Sequence, residues 1–439
     1  GNPSVSETAL QQLLDQIEHC HTGLNSTVGK IGQTITEKGL GGPNALELFG
    51  EVLAPSTIST DHPGYLSFIP SAPTEASKLF DLIVSASAIY GGSWMEGAGA
   101  VFAENQVIEW LVRETGLPAS AGGVFVQGGT IGNLSALVAA RFAAEKKLGH
   151  KPERWAFVCS SEAHSSLKTA ARVMDVDIIL AQAGTDGRLG GEAVADALAG
   201  AGSREVFAVV ATGGTTNFGI VDRIDEIARV TKQHELWLHI DGAYGLAAIL
   251  APSTKSLFAG IENADSFIVD PHKWLFAPFD ACALVYRNPE LAREAHTQHG
   301  EYLDTLTESG EWNPSDYAIN LTRRPRGLPL WFSLATHGVA AYRAAVETNC
   351  QLAREAAELI RAREDLELVR EPMLSVVVFK KHGWQQSDYD AWSDKLLADQ
   401  VAFVVPSSHH GEPNLRFAIV NPTTTIETIK EILDRIEKS

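Results

Sequence analysis

Asp270-Pro271-His272-Lys273-Trp274 follows a short apolar, β-branched run, Ser266-Phe267-Ile268-Val269, that reads as a buried strand. A lysine at the mouth of such a strand can be partly desolvated, and the neutral amine is the form that attacks a carbonyl to make a Schiff base. Read alone, Lys273 would be a surface lysine capping the strand end. Asp241, in Leu238-His239-Ile240-Asp241-Gly242-Ala243-Tyr244, ends a second buried strand, where a carboxylate is either a turn residue or a charge aimed at a ligand. Gly122-Gly123-Val124-Phe125-Val126-Gln127-Gly128-Gly129-Thr130 passes from a strand into a glycine-rich turn that opens a helix carrying Leu134, Leu137, Val138 and Phe142. Free N–H groups and the positive end of a helix, beside small residues, suit a phosphate, with Gly129 and Thr130 as the candidates. Many such turns bind nothing.

Asp-Pro-His-Lys-Trp resembles the signature of the group II pyridoxal-phosphate-dependent amino acid decarboxylases, which include the aromatic amino acid, glutamate and histidine decarboxylases. Matching segments follow in the same order from about His62 to Pro422. The resemblance implies that Lys273 carries pyridoxal phosphate and that Asp241 lies beside the ring nitrogen. An ionised carboxylate is needed there, because the cofactor withdraws electrons from the substrate only while that nitrogen keeps its proton. It also implies that His164, in Ser161-Glu162-Ala163-His164-Ser165-Ser166, stacks on the ring. Thr212 and Ala243 then contact the ring, His272 lies near cofactor or phosphate, and Gly129 and Thr130 take the phosphate. Two departures stand out: Ile131 replaces a common Glu, and Asp270 stands where several relatives have Asn.

For the substrate, Asp61-His62-Pro63-Gly64-Tyr65-Leu66-Ser67-Phe68-Ile69-Pro70 is similar to the family's His-Pro-aromatic pocket segment, making Phe68, Ile69 and Ser71 pocket candidates. Trp94, after Gly91-Gly92-Ser93, suits a close-packed wall or the core. Leu415-Arg416-Phe417-Ala418-Ile419 resembles a C-terminal segment whose arginine lies near the site, and a guanidinium at Arg416 would fit a carboxylate. Arg323, Arg324 and Arg326 either serve the partner subunit's site or hold the preceding loop. Tyr302, in Gly300-Glu301-Tyr302-Leu303-Asp304, resembles the catalytic-loop tyrosine that donates a proton to the carbanion. Aldehyde-forming relatives carry Phe at that place.

The elements around these residues follow a rhythm. Strands at Trp155–Cys159, Val176–Leu180, Val206–Ala211, Trp237–Ile240 and Phe267–Val269 alternate with helical stretches, which predicts a mostly parallel sheet covered by helices on both faces. Ligands of such sheets bind at the carboxyl ends of the strands. The class is α/β, and the resemblance narrows it to fold-type I. Residues 1–60 read as a helical N-terminal segment, with Leu10, Leu13, Leu14 and Ile17 on one stripe; the family would pack it on the other subunit of a homodimer. Residues 61–335 form the large domain, with a polar, aperiodic and therefore mobile catalytic loop near 291–324. Residues 336–439 form a smaller α/β domain: a helix from Gly338 to about Arg363, Leu374–Lys380, a helix near Tyr389–Ala398, Val401–Val405, Leu415–Val420 and a last helix from Thr425.

The 439 residues are 45% hydrophobic with a formal charge of −19, which disfavours nucleic acid and other polyanions. No run approaches ~18 apolar residues and Gly-Asn-Pro-Ser-Val-Ser-Glu lacks the pattern of a signal peptide, so no membrane partner and a cytoplasmic location are expected. Cys20, Cys159, Cys282 and Cys350 are widely spaced, and the pairs His296/His299 and His409/His410 lack further ligands, so no metal is expected. The predicted activity is decarboxylation of an L-amino acid, with an apolar or aromatic side chain favoured by Phe68, Ile69 and Trp94. The rivals are an aldehyde synthase or carbon–carbon lyase on the same scaffold, a decarboxylase of an acidic or diamino acid, and a non-enzymatic binding protein.

Overall fold

Runs that are apolar on both faces can only be satisfied in the middle of a covered sheet, and here they build its centre. The computed structural model describes residues 28–298, 311–409 and 411–437. Its larger sheet has the strands β1 (Gly122–Val126), β2 (Trp155–Ser160), β3 (Asp177–Ala181), β4 (Glu205–Thr212), β5 (Trp237–Asp241), β6 (Ser266–Val269) and β7 (Cys282–Tyr286), in the order β1-β7-β6-β5-β4-β2-β3. Strands β2 to β6 pair in parallel, and β7 runs antiparallel to both β6 and β1. The alternation predicted from sequence is therefore present, each strand within a residue or two of its expected bounds, and β7 is the strand outside it.

Alternate residues of each strand enter opposite cores. Val158, Val209, Ile240 and Phe267 join one, and Phe157, Val210 and Ile268 the other. Helices α1 (Gly42–Leu48), α2 (Glu75–Ala86) and α3 (Trp94–Thr115) precede β1. Next come α4 (Gly129–Leu148), α5 (Ser166–Met174), α6 (Gly191–Ala199), α7 (Ile224–Gln233) and α8 (Pro289–His296). α4 crosses β4, β5, β6 and β7, which sets its first turns over the carboxyl ends of the strands.

α9 (Leu328–Arg361) begins ten residues earlier than the sequence predicted and is broken at Gly338, whose φ of 76° is outside helical space. Its second half covers a four-stranded antiparallel sheet, β10-β11-β9-β8, made of β8 (Leu366–Arg370), β9 (Val376–Lys381), β10 (Ser407–His409) and β11 (Glu412–Ala418). With α10 (Gln386–Ala398) and α11 (Ile426–Glu437) it encloses a third core. Val401–Val405 forms no strand of this sheet; Phe403 instead bridges Tyr65. Backbone bonds from Leu66 to Phe403 O and from Ala418 to Leu66 O splice the 64–68 segment into the small sheet.

The two described ends of the interval 291–324 are more ordered than its composition suggested. Asn288 caps α8 and Pro289 occupies its first turn, so the loop begins as a helix. At its far end Trp312 stacks on Tyr317 at 4.0 Å, and Arg323 is buried in an ion pair with Glu104 at 2.8 Å. Arg324 and Arg326 pair with Asp81 and Asp280, so all three arginines hold the chain in place. The helix expected at Leu10–Ile17 and Tyr302 lie outside the described residues.

Candidate active site

The carboxyl ends of β4, β5 and β6 and the first turn of α4 surround a cavity of about 320 Å³, which also takes in His164 from the loop after β2. This size is at the lower end of small-molecule sites. Lys273 stands in the turn after β6, its Nζ 2.9 Å from Asp270 Oδ2, with 23% of the side chain exposed. Burial is the largest influence and works against the ammonium, but the charge and hydrogen bond of Asp270 together with the charge of Asp241 and smaller contributions outweigh it, and the lysine's pKa is raised. Its partner turns out to be the residue at which the motif departs from several relatives.

Replacing Asp270 by Asn removes the larger opposing charge, so burial gains weight and Lys273 sheds its proton at lower pH. The expected result is a pH profile for capture of a carbonyl cofactor by the cofactor-free protein that moves to lower pH. An unmoved profile would show that Asp270 does not govern the lysine's proton.

His272 accepts the Ala281 N–H on Nδ1 at 3.0 Å, and its Nε2 lies 3.6 Å from the same Asp270 oxygen. Burial lowers its pKa, against the pull of Asp270. The neutral ring therefore carries its proton on Nε2. Asp241, at the end of β5 and beside β6, is 5% exposed. Its Oδ2 accepts from Asn133 Nδ2 at 2.9 Å and its Oδ1 from the Ala243 N–H at 3.2 Å. His164 faces the cavity with Nδ1 held by Ser166, 2.9 Å from its Oγ and 3.2 Å from its N–H. Thr212, Ala243, Gly129 and Thr130 complete the predicted set in the cavity wall.

A model of the pyridoxal-dependent decarboxylase conserved domain matches residues 44–382. The chain belongs to this family. An aromatic-L-amino-acid decarboxylase of Bacillus atrophaeus is 30% identical over 422 residues, 93% of this chain and 87% of that protein. An L-2,4-diaminobutyrate decarboxylase of Acinetobacter baumannii is 25% identical over 431 residues, 91% of this chain and 84% of that one. The crystal structure of Oryza sativa TDC with PLP and tryptamine has the same fold, with a TM-score of 0.90 at 24% identity over 100% of this chain and 98% of the other.

The decarboxylase is thus a carboxy-lyase with pyridoxal phosphate as cofactor, and its cavity fits that group. Three buried polar atoms of its lining, Gln127 Oε1, Thr212 Oγ1 and Asp270 Oδ1, have no hydrogen-bond partner among the described residues. At Gly129 a Cβ would stand 3.1 Å from Ala243 Cβ and 3.3 Å from Asp270 Oδ2, narrowing the mouth of the helix where N–H groups lack intrahelical acceptors. Asp241 offers the cavity acceptor oxygens, and the first turn of α4 offers it N–H donors.

The substrate candidates fare differently, since none of Phe68, Ile69, Ser71, Trp94 and Arg416 lines this cavity. Ser71 is 1% exposed and its hydroxyl donates to Ala277 O, a core hydrogen bond. Ile69 packs on the main core, and Trp94 opens α3 with its N–H donating to Asn313. Phe68 is 59% exposed at φ 54°, its carbonyl accepting from Arg416 Nη2 at 2.7 Å. Arg416 is thus not solvent-facing and, among the described residues, pairs with no carboxylate and has no partner for its Nε; it is buried, and burial lowers its pKa to about 10.

Sequence reasoning missed Asn133, Ser166, Gln127 and Tyr244, all in the wall. For Asn133 there was a signal, a polar side chain on the inward stripe of an apolar helix.

Among the described residues no three His, Cys, Asp or Glu side chains are grouped to hold a metal, and His296 instead bonds Ser135 O at 3.0 Å. None of the described helices is long and apolar enough to cross a membrane.

Proposed function

We propose that this enzyme decarboxylates an L-amino acid with an aromatic or apolar side chain, giving the amine and carbon dioxide. The observation that carries the reading is the convergence of Lys273, Asp241 and His164 on one cavity in which, among the described residues, Lys273 is the only Lys or Arg. An acidic substrate would need a second cation for its second carboxylate. The aromatic name of the 30% identical relative points the same way. Pyridoxal phosphate, when bound, draws electrons from the substrate's Cα so that its carboxylate can leave.

In this reading Lys273 anchors the cofactor and trades its proton with Asp270. Asp241 faces the ring nitrogen, His164 covers the ring, Thr212, Ala243 and His272 line its surroundings, and the Gly129 and Thr130 N–H groups hold the phosphate. Carbon dioxide release measured over all the L-amino acids tests the substrate class. The fastest release is expected from phenylalanine, tyrosine or tryptophan, and release from acidic or diamino acids alone would overturn it.

Tyr302 is proposed as the donor that returns a proton to Cα, with its loop excluding water and oxygen. Tyr302→Phe is then expected to slow amine formation and to divert product to aldehyde, ammonia and peroxide. Amine as sole product at saturating substrate would leave Tyr302 a packing residue.

A homodimer accounts for the exposed apolar side chains Leu79, Leu82 and Ile83 on α2 and Met95 and Phe102 on α3. Across such an interface the exposed Phe68 and the half-buried Trp94 would belong to the partner's pocket. Sedimentation should give twice 47.2 kDa, and a fully active monomer would remove the proposal. The free, buried Cys159, Cys282 and Cys350 support the cytoplasm as its compartment.

A further inference from the structure

Behind the cavity lies a chain of buried polar groups whose hydrogen bonds run in one direction. It starts at an indole, which can only donate: Trp237 Nε1–H donates to Ser266 Oγ at 2.8 Å. Ser266 Oγ lies 2.8 Å from His239 Nδ1, and His239 Nε2 lies 2.9 Å from Asn133 Oδ1. An amide oxygen only accepts, so His239 must donate from Nε2 and accept the Ser266 proton on Nδ1. The ring is fully buried and its pKa is lowered by that burial to about 4, which keeps it neutral as this pattern requires. Asn133 Nδ2 then spends both hydrogens, one on Asp241 Oδ2 at 2.9 Å and one on Ser166 Oγ at 3.0 Å. With its oxygen already accepting, Ser166 directs its own proton to His164 Nδ1 at 2.9 Å, where the Ser166 N–H arrives as a second donor at 3.2 Å.

We propose that Asn133 is a positioning residue that ties Asp241 to His164, orienting the carboxylate and fixing the His164 ring with its proton on Nε2, directed at the cavity. This rests on the reading of the cavity as the cofactor site and adds to it a specification of which histidine nitrogen meets the ligand. The amide orientation is forced, because the carboxylate demands the NH₂ and the His239 Nε2–H demands the oxygen. Asn133, Ser166, His239 and Ser266 are each 2% exposed or less, so no water competes for these bonds. A leucine or alanine at position 133 would leave two acceptors and a donor unpaired at once, whereas each is satisfied as it stands.

The test uses ¹⁵N NMR of the histidine rings in the cofactor-free full chain, with His164 assigned by its loss in His164→Gln, alongside titration with pyridoxal phosphate. In the wild type the neutral His164 is expected as the Nε2–H form. Asn133→Ala should lower that fraction and weaken cofactor binding by about 10- to 100-fold, the size of a lost hydrogen bond to a charged group. Ser166→Ala should move the His164 tautomer while changing cofactor affinity far less, because the Asn133 bond to Asp241 survives. A wild-type Nδ1–H ring, or a tautomer unmoved in both variants, would overturn the proposal even if the enzyme binds its cofactor normally. Should the wild type fail to bind pyridoxal phosphate, the functional reading falls, and the tautomer still decides the hydrogen-bond chain. A general packing role for Asn133 would lower the melting temperature and leave the His164 signals in place.

Discussion

Lys273→Ala is expected to leave a protein without measurable turnover and without the visible absorbance of the lysine-linked cofactor. A methyl group can neither form the linkage nor carry a proton, and losing one positioned proton-transfer group alone costs on the order of 10³-fold in rate. The variant also strips Asp270, 1% exposed, of the cation 2.9 Å away, and a buried carboxylate left alone is costly. A lower melting temperature is therefore part of the expected result, and Lys273→Arg separates the two effects. Arginine keeps a cation for Asp270 and cannot form the linkage, so it should restore stability and leave activity absent. Carbon dioxide release at the wild-type rate from Lys273→Ala, with the absorbance intact, would end the assignment.

Asp241→Asn is expected to fold and to lose most of its activity. The carboxylate offers acceptors in two directions already, to Asn133 Nδ2 and to the Ala243 N–H. An amide must turn its NH₂ toward one of these donors, and it brings no charge to a protonated ring nitrogen. A buried charge-assisted pair is worth roughly 3–5 kcal/mol, which corresponds to about 10²- to 10⁴-fold in rate. Wild-type rates in this variant would make Asp241 a turn residue after all. Comparing turnover with the cofactor's dissociation constant distinguishes loss of the ring's proton from simple loss of the cofactor.

The parts of this molecule that could be read from sequence are those set by chain-local patterns. β4, β5 and β6 announce themselves as apolar runs, and Lys273, Asp241 and Thr212 sit at their ends because the chain must turn there. Gly129 and Thr130 are legible for the same reason, as the first residues of a helix. What could not be read depends on pairing across the sheet. Asn133 reaches Asp241 only because α4 crosses over β5, and no spacing within the chain encodes that. The part Asp270 plays was not legible either, since it depends on where the lysine three residues later points. Ser71 and Arg416 lie outside the cavity lining for a related reason: their chemical type suited a pocket, while each donates to a backbone carbonyl, of Ala277 and Phe68 respectively.

The strand order carries one more implication, for how the protein is made. The wall of the cavity is gathered from Gln127 to Lys273, and between those points the chain makes each of the crossovers that place β2 to β6 in register. Parallel pairing rewards the chain only after long loops have closed, so such sheets are slow to form. No fragment ending before β6 contains both Asp241 and Lys273, so under the proposed assignment of these two residues the nascent chain cannot hold the cofactor until the turn after β6 has been synthesised. A ligand that binds only the finished sheet draws the folding equilibrium toward it by mass action. Cofactor supply in the cell thereby becomes a determinant of how much of this enzyme survives its own folding.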